Sequence, residues 1–600
     1  MLETRDELYR IMEIQRIFDL LENLKQYKPL DDILACKING TWVKYSVDDY
    51  INRSHKVAYG LLALGYEAGT KVITVCNNRP EWNFVDMGIT LAHMIHVPVY
   101  STLGHEEFLN IFTRSDAEVI FVGNLALYKK IMPVVEEIDR KIKVILMDDS
   151  DETYCLRDLY KLGEDRSDEF GPVVENNKKT IGRDECASII FTSGTTGEPK
   201  GVMLSHYNLV FNSHSHAMRQ TKKAHDRMLS FLPLCHMYER TMNYEFQELG
   251  ICIYYAESLS TIAANLKEIH ADGFCAVPRV LELMYSKLDE AGKNMKGVKG
   301  WIYGRAWKFA NTFDNTATNL CYRTRLKIFD KLIYSKWREA FGGHDMIVVS
   351  GGSSISESVV RTFNAAQLRI FEGYGMTECS PVIAVNSPAD GYNVIGTVGK
   401  ATTGTELRFA EDGEILTRGP HIMLGYYKNP EATAEIIDKD GWLHTGDIGY
   451  LVDGQYLKIT DRKKEIFKLS SGKYIAPQMI ENLLKDSSFL DNAFVFGENE
   501  KFASAIIVAN KGAVKKMAKD NKIEVASDED LLENDTILKK LRDEVEEINK
   551  KLSPHEYIKK PLFVFDEWTT GNGLLSQTLK LKRRNLHKKY KELIQRIYKA

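Results

Sequence analysis

The ten residues Thr192-Ser193-Gly194-Thr195-Thr196-Gly197-Glu198-Pro199-Lys200-Gly201 gather three threonines, a serine, three glycines and a lysine into one short stretch. Glycine-freed backbone N–H groups, hydroxyls and a single cation converging in a loop are the chemistry of polyphosphate binding. The apolar run 187–191 predicts a buried strand before the stretch, and Ser205 predicts the cap of a helix reaching 218, so the loop is expected between strand and helix. It is not a Walker loop, because Lys200 follows a proline and precedes a glycine instead of a hydroxyl residue. The plainer alternative is a surface turn; the strand, the capped helix and the terminal lysine count against it.

Other stretches carry complementary chemistry. The strand 348–353 ends on Gly351 and Gly352, and Ile370-Phe371 leads into Glu372-Gly373-Tyr374-Gly375-Met376-Thr377-Glu378. Glycines admit a flat ring close to the backbone, an aromatic stacks on it, and a threonine followed by an acid suits a phosphate and its magnesium. In Gly441-Trp442-Leu443-His444-Thr445-Gly446-Asp447 a carboxylate in a tight turn can accept from two hydroxyls. The charged run Asp461-Arg462-Lys463-Lys464-Glu465 would ordinarily be a solvated face, but it follows what looks like a complete large domain and so reads as a linker. Near the end, Lys580 lies in Gly573-Leu574-Leu575-Ser576-Gln577-Thr578-Leu579-Lys580; a carboxylate attacking a triphosphate needs such a cation between the two anions.

Taken in order, these motifs resemble those of the adenylate-forming enzymes, the superfamily of acyl-CoA synthetases, luciferases and peptide-synthetase adenylation domains, and most of all its AMP-forming long-chain fatty-acid:CoA ligases. The resemblance spans essentially the whole chain. It implies ATP binding by Thr192, Ser193, Gly194, Thr195, Thr196, Gly197, Lys200, Gly352 and Gly375, with Tyr374 against the adenine and Asp447 on the ribose. It further implies Thr377 near the α-phosphate, Glu378 on Mg²⁺, Arg462 reaching ribose or phosphates, and Lys580 as the catalytic cation beside Thr192, Thr377 and Glu378. The Phe231-Leu232-Pro233-Leu234-Cys235-His236 segment resembles the family's Pro-Leu-x-His motif, which puts His236 between nucleotide and acyl group, with Gly373 at the acyl site. Asp461 takes the place of the family's hinge pivot, and Gly472, in Lys468-Leu469-Ser470-Ser471-Gly472-Lys473, lies on the CoA side. The chain departs from the common Thr-Pro-Thr-x-Lys form in Ser576 and Gln577.

The elements that must position these residues are those of an α/β protein. Periodicity predicts helix 47–64, strand 71–76, helix 80–92, strand 94–99, helix 105–115 and strand 119–122, the alternation of a mainly parallel sheet covered by helices. His93 and His96 read as neutral core histidines, and His214 and His216, two apart on a helix, are poorly placed as a metal pair. The segment 148–185 reads as a polar surface excursion, 273–283 as a continuation of the sheet, 285–345 as packed aromatic helices whose cations could alternatively meet a membrane or nucleic acid, and 396–458 as a small β-subdomain. The expected organisation is a large N-terminal domain, 1–460, of two α/β layers plus that subdomain, a hinge at 461–465, and a small mobile α+β domain at 466–600.

Six hundred residues, 44% hydrophobic and 27% charged, suffice for several cores. A formal charge of −4 gives no overall reason to bind nucleic acid. Nine scattered cysteines without a C-x-x-C pair suggest a reducing compartment, and the acidic start and lack of a long apolar run suggest a protein neither secreted nor membrane-spanning, hence cytoplasmic. Residues 8–24 have the spacing of an amphipathic helix packed on the body. Residues 580–600 hold nine Lys and Arg against one Glu, which raises weak peripheral association with anionic lipid at the inner membrane face. The expected partners are a fatty acid, ATP with Mg²⁺, and CoA, with no nucleic acid and no protein partner. A fatty acyl-AMP ligase, a luciferase-like oxygenase and an inactive lipid-binding scaffold are the alternatives; a peptide-synthetase module would need a carrier domain after Lys580.

Overall fold

The computed structural model describes residues 14–193, 199–219, 221–317, 319–390, 393–576 and 579–599. Two large sheets dominate. One runs Gly425–Tyr426, Pro199–Ser205, Cys186–Ser193, Ile95–Val99, Lys71–Val75, Val119–Val122, Lys143–Leu146 and is parallel from Cys186–Ser193 onward. The other runs Lys400–Ala401, Val382–Val385, Leu368–Gly375, Met346–Ser350, Gly273–Ala276, Arg227–Ser230, Cys252–Tyr255, Leu34–Ile38, Thr41–Tyr45, parallel in its centre and antiparallel at both edges. Strands such as Val119-Ile120-Phe121-Val122 are buried at every position, as covered parallel sheets require.

Three helices, Pro80–Leu91, His206–Ala217 and Met237–Glu248, are buried almost all round. The first packs on strands of both sheets, and so does the second. A helix enclosed on every side has no polar face to give to water, so each polar group on it needs a partner. Arg240 finds Asp86 at 2.6 Å, Ser188 at 2.7 Å and Tyr244 at 2.7 Å, and His96 shares Asp86 at 2.6 Å and Thr74 at 2.9 Å. His96 is therefore a core histidine, with burial pushing its pKa down. His93 is not: it sits at the surface beside Glu185. His214 bonds Glu248 and His216 bonds Glu245, one buried pair each.

The small β-subdomain is a sheet of Glu406–Phe409, Glu414–Arg418, Leu443–Val452 and Tyr456–Arg462. Beyond it, Phe467–Lys468 pairs with Tyr474–Ile475, and Leu490–Phe496, Ser504–Ala509 and Leu562–Val564 form a sheet flanked by helices Pro477–Leu484, Lys511–Asp520 and Asp535–Asn549. Ile480, Leu484, Ile507, Val514 and Leu541 belong to a core of their own, separate from that of the large sheets. A self-contained core is what makes a domain able to move as a unit.

Several expectations change. The signature loop joins two antiparallel strands, Thr192 pairing with Lys200, because the chain returns as Pro199–Ser205 before the Ser205-capped helix begins. The segment 148–185 contains helices Leu156–Asp165 and Ser167–Thr180, whose few apolar residues fall on one face. Only Gly273–Ala276 continues the sheet; Pro278, favourable at a helix start, opens Pro278–Lys293. Of the 8–24 prediction, Asp19–Leu24 is helical with Leu20, Leu21 and Leu24 buried, and residues 8–13 lie outside the described residues. The basic terminal segment forms helices Arg583–Lys589 and Lys591–Lys599, with Leu586, Ile594 and Ile597 buried on them and Tyr590 buried between them. No helix among the described residues is long and apolar enough to cross a membrane.

Candidate functional site

The site is assembled where the C-terminal ends of strands, the β-subdomain and the small domain meet. Thr192 and Lys200 face each other across the hairpin, the Thr192 hydroxyl donating to the Lys200 carbonyl at 3.5 Å. Gly194, Thr195, Thr196 and Gly197 lie outside the described residues. The Lys200 ammonium stands 4.9 Å from the centre of the Tyr426 ring, and the Tyr426 hydroxyl donates to Glu378 Oε1 at 2.9 Å. Tyr426 reaches this position because its strand pairs with Pro199–Ser205, opposite Val202. One tyrosine thus links the loop lysine to the acid of the Tyr-Gly-Met-Thr-Glu turn.

That turn leaves the strand Leu368–Gly375 at a position only glycine can occupy: a Cβ on Gly375 would lie 1.8 Å from the Pro381 carbonyl oxygen. Thr377 and Glu378 then open a short 3₁₀ turn, both half-buried. Tyr374 donates its phenol proton to Asp447 Oδ2, and Arg462 Nε donates to Asp447 Oδ1 at 3.1 Å. Burial, then the charge of Asp447, holds the Tyr374 phenol protonated well above its usual range. Gly352 has φ +84°, in the left-handed region that favours glycine. A Cβ at Gly373 would meet nothing closer than Val385 Cγ2 at 3.4 Å.

His236 caps the helix Met237–Glu248, its Nδ1 accepting from the Tyr238 N–H at 3.2 Å. Burial and the nearby Lys580 charge push its pKa down to about 4, so at neutral pH the ring is uncharged and the proton sits on Nε2. Lys580 arrives from the small domain. Part of its side chain meets solvent, but the protein crowded around it and then the Arg462 guanidinium lower its pKa to about 8, against the pull of Asp447, Glu465 and Glu378. Its backbone is held by Ser576, whose Oγ accepts from the Lys580 N–H at 3.0 Å and whose N–H donates to the Lys580 carbonyl at 2.7 Å. Gln577 lies outside the described residues.

Asp461 remains in the strand of the β-subdomain, opposite Ile448, with its carboxyl buried. Four residues on, Glu465 is gripped by Arg583 of the small domain at 2.7 Å. Among the described residues, side-chain hydrogen bonds across the cleft include Asn482 to Ser354 at 2.6 Å, Asp486 with Ser356 and Ser358, Lys293 to Ser488 at 3.3 Å and Lys516 to Asn294 at 3.2 Å. Gly472, φ +85°, turns the exposed hairpin between Lys468 and Tyr474, and a Cβ at this position would meet nothing nearer than Lys468 Cε at 3.9 Å.

Three contributors escape a reading by motif. Tyr426 is one. Tyr238 is another: its hydroxyl donates to the Val349 carbonyl at 2.8 Å and its ring lies beneath Gly351, supporting the glycine turn. The third is Glu239, wholly buried, accepting from Ser230 at 2.5 Å; burial lifts its pKa to about 8 and keeps it neutral. Tyr238 and Glu239 follow His236 closely in sequence, and that adjacency was the available signal; Tyr426 neighbours the loop only in strand register, for which the sequence held no signal.

A family model described as AMP-binding enzyme matches residues 24–427, and one described as AMP-binding enzyme C-terminal domain matches residues 464–600. Long-chain-fatty-acid--CoA ligase 5 of Rattus norvegicus is 31% identical over 93% of this chain and 84% of its own length. Long-chain-fatty-acid--CoA ligase FadD15 of Mycobacterium tuberculosis is 30% identical over 94% of this chain and 93% of its own. The adenylation domain of a carboxylate reductase from Mycobacterium chelonae superposes with a TM-score of 0.75 at 19% identity, covering 100% of this chain and 97% of that one, a likeness of fold.

Proposed function

The chain belongs to the AMP-binding enzymes, among the long-chain fatty-acid–CoA ligases, and from that premise we propose how its own residues activate a fatty acid with ATP and pass it to CoA. The carrying observation is the convergence of Lys580, Arg462, Asp447, Glu378 and His236, drawn from distant parts of the chain, on one cleft.

ATP lies with its adenine against Tyr374 and its ribose hydroxyls on Asp447, its phosphates reaching the Thr192–Lys200 hairpin. The fatty carboxylate attacks the α-phosphate, an O–P bond forms, and the bond to pyrophosphate breaks. Lys580, with the Thr192 and Thr377 hydroxyls, spreads the negative charge that accumulates between the two anions. His236, held neutral, packs at the seam between nucleotide and acyl group without adding a charge that would have to be desolvated. In the second half the CoA thiolate attacks the acyl carbonyl, a C–S bond forms, and AMP leaves with the former carboxylate oxygen.

Glu378 is the residue that would hold Mg²⁺. No cluster of three His, Cys, Asp or Glu forms a cage among the described residues, and one carboxylate with phosphate oxygens is a donor set that suits this cation. Bound there, the ion would supply positive charge to the phosphates. We further read the small domain as rotating about Asp461 between a state that presents Lys580 and one that presents the Gly472 hairpin to CoA, and the protein as cytoplasmic with weak peripheral association to anionic lipid.

Pyrophosphate release with and without fatty acid, followed by thioester formation on adding CoA, tests the reading. Lys580→Ala should lose adenylation by about 10²- to 10³-fold while still converting supplied acyl-AMP and CoA to thioester. Equal loss in both halves would overturn the role of Lys580. Adenylate without thioester would make the protein an acyl-AMP ligase, and no acid-dependent release would return it to a lipid-binding scaffold.

A further inference from the structure

Seven of the sixteen exposed large apolar side chains among the described residues fall within residues 283–332. On the helix Gly297–Asn311, Tyr303, Ala306, Phe309 and Ala310 face inward, while Val298, Trp301, Arg305 and Lys308 recur outward at helical spacing. Val298 is 73% exposed and Trp301 60%. On the next helix, Leu320–Phe329, and its continuation through Tyr334, Leu320 is 80% exposed, and Ile328 and Leu332 are open between Arg323, Arg325, Lys327 and Lys331. Residues 296–336 carry nine Lys and Arg against two Asp in a chain whose total charge is −4.

The underside of this surface is well anchored. Phe309 meets Tyr322 at 4.8 Å and Phe329 at 5.4 Å between ring centres, and the Tyr334 hydroxyl donates to the Ala306 carbonyl at 2.7 Å. The outward residues are thus exposed on a packed platform. Apolar side chains standing among cations match the boundary of a bilayer with anionic headgroups, where the aliphatic tips enter the acyl region and the cations meet phosphate. Nucleic acid fits less well, because stacking needs exposed aromatics and this segment turns all but Trp301 wholly or partly inward. The basic terminal helices fit less well too, since their apolar face is already buried.

We propose that the surface formed by helices Gly297–Asn311 and Leu320–Phe329 seats the protein on an anionic lipid bilayer. The placement also suits the site, a point that rests on the acyl-ligase reading. The helix Pro278–Lys293 starts beside the glycine turn, where Val277 Cγ1 would lie 3.7 Å from a Cβ on Gly352, and ends where Gly292 packs on Tyr303. A fatty acid dissolved in the bilayer would therefore arrive on the side from which that helix leads inward.

The test is co-sedimentation of the full chain, without ATP or CoA, with vesicles of phosphatidylcholine alone and of phosphatidylcholine with phosphatidylglycerol, and a parallel titration with a single-stranded oligonucleotide. The wild type should prefer the anionic vesicles, with salt weakening the binding. Val298→Glu/Trp301→Glu/Leu320→Glu should reduce it by about tenfold or more, and Lys591→Glu/Arg596→Glu in the tail should leave most of it. Activity toward a water-soluble acid, read separately, should survive the triple change, so loss of docking and failure of the ligase reading are told apart. If the triple variant melts early, Leu320→Glu alone repeats the test. Unchanged vesicle binding in these variants, loss only in the tail variant, no vesicle binding by the wild type, or a preference for the oligonucleotide would each overturn the proposal.

Discussion

The Tyr374 phenol lies 2.6 Å from Asp447 Oδ2, so a residue from a central strand and one from the β-subdomain, 73 positions apart, form a single unit. With Arg462 on the other oxygen, both sides of the carboxylate are oriented by the protein. Tyr374→Phe keeps the ring for stacking and removes one hydrogen bond to a charged acceptor. The expected result is about a tenfold fall in kcat/KM for ATP with a small change in Tm. An ATP titration at saturating fatty acid and CoA checks it; an unchanged value would detach the phenol from nucleotide binding.

Lys580 must be protonated to screen two anions, and its pKa is lowered to about 8. The charged form is complete below that value and falls tenfold per pH unit above it. kcat/KM for ATP, which reports the free enzyme, should therefore decline above about pH 8. Lys580→Arg should move that limb beyond the measurable range even if it lowers the plateau. A limb that persists in the arginine variant belongs to another group.

Most of the parallel framework was legible because short apolar runs alternating with amphipathic helices leave few other folds, and the strand 119–122 and helix 105–115 appear with the expected bounds. What was not legible depends on meetings across the sheets. Asp86 sits in the otherwise mostly apolar Trp82-Asn83-Phe84-Val85-Asp86-Met87-Gly88-Ile89, a hint that a partner charge exists, but nothing local points to Arg240, 154 positions away. The hairpin after Thr192 was missed because Pro199-Lys200-Gly201 is poor strand sequence by propensity, and pairing to Cys186–Ser193 overrides it. Likewise the role of Tyr426 exists only because its strand is laid beside Val202.

Tyr426 gives the third prediction. Its hydroxyl steadies Glu378 while its ring lies under Lys200. Tyr426→Phe should keep the ring contact and loosen the carboxylate, raising the Mg²⁺ concentration for half-maximal pyrophosphate release by about three- to tenfold. Glu378→Gln should raise it further. A magnesium titration at fixed ATP decides, and identical curves for wild type and both variants would remove Glu378 from the metal.

Gly472 separates backbone strain from blockage. A Cβ at this position meets nothing nearer than Lys468 Cε at 3.9 Å, so the cost to be expected of Gly472→Leu in this arrangement is that of the left-handed φ, about 1–2 kcal/mol. Gly472→Asn, which tolerates that conformation better, is the control. If the hairpin admits the pantetheine arm of CoA in the rotated state, Leu should stop thioester formation while pyrophosphate exchange continues, and Asn should cost less. Parallel loss of both half-reactions with a lowered Tm would reduce Gly472 to a turn former.

Asp461 supplies the last prediction, because its carboxyl is buried with Oδ2 lacking a hydrogen-bond partner among the described residues while Oδ1 accepts the Arg462 N–H at 2.6 Å. Burial raises its pKa from 3.8 to about 7. Between those values the folded protein binds a proton that the unfolded chain releases, so stability falls as pH rises through the window, by at most about 4 kcal/mol. Above pH 7 the ionised carboxyl is strained in this arrangement, and a rotation that exposed it to water would relieve the strain. The second half-reaction should therefore gain on the first between pH 6 and 8. Asp461→Asn removes the charge: its Tm should already exceed the wild type's at pH 5, by a margin that grows up to about pH 7 and then levels off, with adenylation kept and single-turnover thioester formation slowed. Melting curves across pH 5 to 8.5, set beside single-turnover rates for both halves, decide the matter. Tm profiles that run parallel for the two proteins would mean that Asp461 is not the group that titrates, and equal slowing of both half-reactions would mean that it is not the pivot.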